Sequence, residues 1–300
     1  MTLKSYLGPL SVMIAALAPL VAVILAFAIE RQKRRRTEKP PQTEKLLRPP
    51  GHSLMIRLDE ILDRIMQDIA TACMLSAFAG ATVVCIASLW AAQVSLAALL
   101  ICVFIFAVLG VIVILVTLRV FKAMRQAQNF RLGLRGEQAV AESLNEVADA
   151  GFRCFHDLPG GGNWNIDHVA VGVRGVFLIE TKARRRRASR NGQPEHKVIY
   201  DGETLQFPSR WDAKPIAQAT RNAKWLSDFL TKRTGEPVTI NPLVVLPGWY
   251  VETKGNFPVK VMNATYLVKY LRGQSEFIKD VAQVRRIISA LDEKCRDVEF

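Results

Sequence analysis

Asn165-Ile-Asp-His-Val-Ala-Val-Gly-Val-Arg-Gly-Val-Phe-Leu-Ile-Glu-Thr-Lys182 is the stretch on which the fold turns. Two apolar arms rich in β-branched residues flank a Gly-Val-Arg-Gly turn, a pattern that predicts a β-hairpin. Asp167, Glu180 and Lys182 interrupt the arms with charge. Pairing symmetric about Val173 and Arg174 sets Asp167 opposite Glu180. Opposed side chains lie about 5 Å apart at Cβ, close enough for two carboxylates to share one divalent cation. The two-residue period of a strand turns Glu180 and Lys182 to one face and Phe177 and Ile179 to the other. Charge on an otherwise buried strand is costly, and two acids beside an amine suit metal-assisted phosphodiester cleavage.

Downstream, Lys182 leads through Ala183 into Arg184, Arg185, Arg186 and Arg187. Such a run is ordinarily a solvated loop; beside a cleavage site it would supply sequence-independent phosphate contacts. Residues 198–205, with Asp201-Gly202 at a turn, predict a second hairpin. Pro215 opens a helix reaching Leu230, with Ile216, Ala219, Ala223, Leu226 and Leu230 as its apolar stripe. Gln218 and Asn222 lie four apart on an adjacent face, where surface amides are ordinary. Residues 241–246 read as a buried strand, 258–262 as another, and 264–272 and 277–294 as helices.

Upstream, 129–147 predicts a helix opened by Gly133 and Gly136, with Val140, Leu144 and Val147 on one stripe. Glu137 falls in its first turns; taken alone it reads as a solvated charge at the positive helix end. Residues 152–156 form a short strand. The glycines at 160–162 are read as a turn, since no Gly-Lys-Ser/Thr follows to make a phosphate loop.

The chain has 300 residues and a net charge of +13, with a pI near 9.8 and a positive mean hydropathy. That combination implies apolar residues gathered in membrane spans and basic residues outside them. Residues 1–29 contain an uncharged run from Leu7 to Ile29, followed at once by Arg31, Lys33, Arg34, Arg35 and Arg36. About 20 apolar residues suffice to cross a bilayer, and the charge order makes this an anchor with its N-terminus outside. Residues 30–70 read as a cytoplasmic basic and Pro-rich linker leading to an amphipathic helix carrying Leu54, Leu58, Ile61, Leu62, Ile65 and Ile69. Residues 71–118 read as a transmembrane helical hairpin closed inside by Arg119, Lys122 and Arg125. No ionisable residue lies within these spans, which speaks against transport. The chain has no Cys-x-x-Cys, and its four histidines lack metalloprotease spacing, which argues against zinc.

Gly133-x-x-Gly136-Glu137, Ile166-Asp167-His168, Gly175-Val-Phe-Leu-Ile-Glu180-Thr-Lys182 and Gln218-Ala219 together resemble the NERD (nuclease-related) domain, similar in core to the PD-(D/E)XK, restriction-endonuclease-like nucleases. The resemblance covers roughly residues 130–246 and implies an α/β fold: a mixed central sheet of four or five strands flanked by helices. Here it would follow an all-α, three-helix membrane region. It also implies that Asp167 and Glu180 hold Mg²⁺ or Mn²⁺ with the Thr181 carbonyl, and that Lys182 orients or deprotonates the attacking water. Glu137 would be an accessory acid and Gln218 a motif residue near the site. Lys182 departs from the usual pattern by leading straight into a basic run.

The resulting expectation is a nuclease domain over 119–250 with an α/β extension over 251–300. It would be held at the cell membrane by a multi-pass anchor, with the domain cytoplasmic and nucleic acid, DNA as the working choice, as substrate. Two alternatives stay open: a non-catalytic nucleic-acid-binding module tethered to the bilayer, and a membrane scaffold in which Asp167, Glu180 and Lys182 form a structural ion pair.

Overall fold

Strand alternation and turn chemistry dominate the second half of the chain, and long uninterrupted helices the first. The computed structural model describes Ala22, Ile29 and residues 45–90, 96–162, 164–186 and 196–298. It divides into two compact units: Met1–Gln42 with Asp59–Gln128, and Thr43–Leu58 with Asn129–Phe300.

In the first unit the described chain is helical. α1 (His52–Trp90) and α2 (Leu96–Asn145) both begin or end in the other unit. The predicted amphipathic helix and the first arm of the predicted hairpin are therefore one helix, since nothing between Ile69 and Thr71 breaks the backbone. Likewise the helix predicted over 129–147 continues from the second arm without interruption. Residues 119–128 contain neither Pro nor Gly, so the helical hydrogen bonds run through them.

Among the described residues, one segment, Val103–Asn145, is long and apolar enough to cross a membrane. Its uncharged part ends at Leu118, well before Glu137. Of the expected three-helix membrane region, the described residues thus contain one candidate crossing. The span predicted in 1–29 lies outside the described residues apart from Ala22 and Ile29, as does the predicted turn at 91–95. The arm from Thr71 is more polar; its Thr71, Ser76 and Thr82 hydroxyls donate back to the carbonyls of Gln67, Ala72 and Phe78.

The second unit is the α/β body. β2 (Arg153–Pro159), β3 (Asn165–Gly172) and β4 (Gly175–Thr181) form an antiparallel meander; β8 (Ile240–Val245) and β10 (Lys260–Met262) extend it in parallel, in the order β10-β8-β4-β3-β2. This is the mixed five-stranded sheet that the resemblance implies. β3 and β4 are buried almost throughout. Val140 and Leu144 at the end of α2, and Val147 in the turn beyond it, cover one face with Leu267 and Leu271 of α4 (Ala264–Arg272). α3 (Lys214–Thr234) and α5 (Val281–Cys295) cover the other with Ile216, Leu226, Ile287 and Leu291. α5 starts four residues later than its pattern predicts, because the Phe277 and Ile278 amides both donate to the Val173 carbonyl at the hairpin turn.

The predicted second hairpin is present as β5 (Lys197–Tyr200) and β6 (Leu205–Phe207), with Tyr200 opposite Leu205. It grows into a second sheet, β7-β6-β5-β9, through β7 (Arg210–Asp212) and β9 (Tyr250–Thr253). Finally, β1 (Leu46–Leu47) pairs with β11 (Arg296–Val298), which ties the linker before α1 to the end of the chain.

Candidate active site

The β3–β4 register decides the site. Gly172 stands opposite Gly175 and His168 opposite Ile179, so the next step sets Asp167 against Glu180. This is the register that symmetry about Val173 and Arg174 predicts. Gly175, at φ +126, takes a backbone conformation that side chains resist, and so lets the turn close. Val176 and Leu178 face the α3 side of the sheet, and Phe177 and Ile179 the α2 side. Alternation therefore carries Glu180 to the α3 face.

Asp167 and Glu180 are buried, at 8% and 1% exposure. Asp167 Oδ2 accepts the Thr181 amide at 2.7 Å, which pins the carboxylate to the end of β4. Lys182 Nζ lies 3.4 Å from Glu180 Oε1 and 3.5 Å from Gln218 Oε1, so α3 delivers Gln218 to the amine. Glu137 approaches along α2, buried at 6% exposure and close enough to feel the Asp167 and Glu180 charges. Gly136 makes that approach possible, since a Cβ there would meet the Ala183 Cβ at 2.6 Å.

Burial is the largest influence on all three acids, and in each it favours the protonated form. Glu137 is pushed up to about 9 by burial, then by Asp167, Asp157 and Glu180. Asp167 is raised by burial against the opposing pull of the Thr181 amide and Lys182. Glu180 is raised well above the usual carboxylate range by burial and then by Asp167, against Lys182. Glu137 Oε2 and Glu180 Oε2 are buried without a hydrogen-bond partner. Oxygen donors lacking partners and crowded by like charge fit a hard divalent cation. Among the described residues no three His, Cys, Asp or Glu side chains are grouped to hold a metal unaided; the expected ligand set is two carboxylates and a backbone carbonyl.

Several participants were not predicted. Asp157, fully buried, raises both Glu137 and Asp167. Its Oδ2 accepts the Ser53 amide at 3.1 Å, the Ser53 hydroxyl at 2.6 Å and Arg48 Nη1 at 2.9 Å; its Oδ1 accepts Asn165 Nδ2 at 2.5 Å. Arg48 also grips Asp297 through two bonds of 2.6 Å. The segment before α1 thus closes over the site, and a Cβ on Gly51 would sit 3.6 Å from Glu137 Oε2. Nothing in the local pattern marks Asp157: it interrupts β2 at φ 50, which Asp tolerates better than most residues. On α3, Arg221 draws Glu180 toward its charged form. Asn222, expected to be a surface amide, is buried with its Nδ2 unpartnered.

The arginine run divides. Arg184 Nη2 is 2.5 Å from Asp212 Oδ2, so its charge is already met within the body, whereas Arg185 and Arg186 are exposed. Arg187 lies outside the described residues. His168, beside Asp167 in the predicted motif, turns to the opposite face, where its Nδ1 lies 2.8 Å from His156 Nδ1.

No curated protein and no solved structure gives a significant match to the chain. Residues 132–247, the stretch that carries Glu137, Asp167, Glu180, Lys182 and Gln218, match the family model of the nuclease-related domain, NERD.

Proposed function

We propose that this chain is a membrane-anchored, divalent-metal-dependent nuclease that hydrolyses phosphodiester bonds of nucleic acid, with DNA as the first substrate to test. The reading rests above all on one observation: two buried carboxylates from adjacent strands, Asp167 and Glu180, share a face with Lys182, and Glu180 keeps an unpartnered oxygen. Asp167, Glu180 and the Thr181 carbonyl would hold Mg²⁺ or Mn²⁺, which when bound neutralises phosphate charge and makes water nucleophilic near neutral pH. The chain's own residues do the rest. The Thr181 amide fixes the Asp167 carboxylate. The Lys182 amine, held by Glu180 and Gln218, is positioned to orient a water or meet charge building on the phosphate. Glu137 can take up or release a proton beside the site.

The apolar segment in Val103–Asn145 supports anchoring, and the basic residues flanking the predicted spans support a cytoplasmic catalytic body. The test is full-length protein in detergent with Mg²⁺ or Mn²⁺, offered single- and double-stranded DNA and RNA. Products that vanish in chelator and in Glu180→Gln are expected; no product from any of these polymers overturns the reading. The contact between Lys182 and Glu180, which engages the amine, also favours a second reading, a non-catalytic nucleic-acid-binding module of the same fold. Nucleic-acid binding that persists in chelator, without products, would select it.

A further inference from the structure

The second sheet carries a tryptophan that the core does not use. Trp164 packs against Trp225, Trp225 stacks on Phe229, and Trp249 packs against Phe207. Trp211, on the edge strand β7, is 74% exposed. Strand alternation explains the exposure. Asp212 turns inward, where it accepts Arg184 at 2.5 Å and Arg210 at 2.7 Å, and Trp211 turns to the outer face opposite Gln206.

The strand that carries the indole leads to the acid site along the chain. Arg184 follows Lys182 by two residues, and Asp212 both follows Trp211 and accepts the Lys214 amide as α3 begins. One ion pair therefore ties the strand of Trp211 to the chain that carries Lys182, and the helix that brings Gln218 to the amine starts two residues beyond it. Exposed Arg210 and Lys214 flank the indole along this path. At the far edge of the sheet Tyr250 is exposed too, but its strand ends at Thr253 and does not lead into the helix that carries Gln218.

A flat ring beside exposed cationic groups is the arrangement that binds single strands: cations track phosphates while the ring stacks on a base exposed by the lack of a complement. A duplex keeps its bases stacked on one another and offers the ring only its backbone. We propose that Trp211 is a stacking platform for an unpaired base, making the preferred substrate a single-stranded or locally opened nucleic acid. This rests on the nuclease reading for its substrate class, but the test does not depend on turnover.

Full-length protein in detergent and chelator is titrated with a labelled deoxyoligonucleotide, with its duplex, and with the same sequence as RNA. The wild type should prefer single strands. Trp211→Ala should weaken single-strand binding by about 5- to 100-fold with little effect on duplex, Trp211→Phe should recover most of it, and Tyr250→Ala should change nothing. The effect in either DNA or RNA supports the assignment. Equal loss for single strand and duplex, no loss, or a wild type that binds neither overturns it. Cleavage in Mg²⁺ is measured in parallel. A protein that cleaves while indifferent to Trp211 loses this inference alone; one that shows the Trp211-dependent preference and never cleaves loses the nuclease reading alone.

Discussion

Asp167 Oδ2 accepts the Thr181 amide at 2.7 Å, so one carboxylate serves both the hairpin and the site. Its two roles can be separated. Asp167→Asn keeps an oxygen for the amide and removes the charge; Asp167→Ala leaves a buried amide unpaired, which costs about 1–3 kcal/mol. The Asn variant should unfold in denaturant close to wild type yet lose at least about 100-fold in cleavage, the upper end of what an outer-sphere change costs a metal site. The Ala variant should lose both. An Asn variant that still cleaves would remove Asp167 from the chemistry.

Metal should stabilise the fold before any substrate is present. Asp167 and Glu180 lie buried with their charge poorly met, and a ligand that binds only the native state adds stability as its concentration passes the dissociation constant. Mn²⁺ at about 100 times that constant should add about 2.7 kcal/mol. Glu180→Gln should abolish the gain, read as a shift in melting temperature. Equal gains in wild type and variant would place the ion elsewhere.

Gly136 should not tolerate a methyl group. A Cβ there would fall 2.6 Å from the Ala183 Cβ, and overpacking of this kind costs about 1–3 kcal/mol. Gly136→Ala should destabilise the protein and, by displacing the chain just beyond Lys182, slow cleavage. Adding Ala183→Gly should restore both, and a double variant no better than the single would show that the clash is not the cause.

Acid should loosen the β2–β3 ladder. Burial pushes His156 down to about 4 from 6.5, and His168, buried beside it, is lowered as well. Between those values the unfolded chain binds a proton that folded His156 refuses, so stability rises with pH through this window and falls as pH drops below about 6.5. Protection of the amides in Arg153–Pro159, taken relative to the intrinsic exchange rate at each pH, should fall over that range, with a shallower dependence in His156→Gln. An unchanged slope would rule out this histidine as the source.

Removing the Asp157 carboxylate should release the segment before α1. Asp157→Ala deletes the acceptor of Ser53, Arg48 and Asn165, and loss of one partner from a buried pair costs about 3–5 kcal/mol. The lower end is expected, because Arg48 keeps Asp297. Limited proteolysis should then cut within 45–58, where the wild type resists.

What could be read in advance follows the range of the forces involved. The hairpin and its register rest on a two-residue period and a four-residue turn, both local, and the Gln218 helix rests on a clear apolar stripe. The helix limits were harder to see, because Gly133 and Gly136 look like an opening, while Gly136 instead serves a close approach to Ala183, 47 residues away in the chain. Asp157 was invisible for a similar reason: its partners Arg48 and Ser53 lie more than 100 residues upstream. Asn222 looked like surface because its stripe borders the core, and only the sheet it packs against reveals the burial. Arg184 looked free because Asp212, which meets its charge, is 28 residues on.

The clasp at Arg48 also bears on where this body can be cut. Residues 132–247 match a family model, yet a fragment trimmed to them would strip Asp157 of Arg48 and Ser53. It would bare the edge of β8 where β10 pairs, and uncover the face on which α5 packs. Similarity and self-sufficiency thus draw different borders: the matched stretch holds the candidate site, and the flanks on both sides supply the walls without which it should not stand alone.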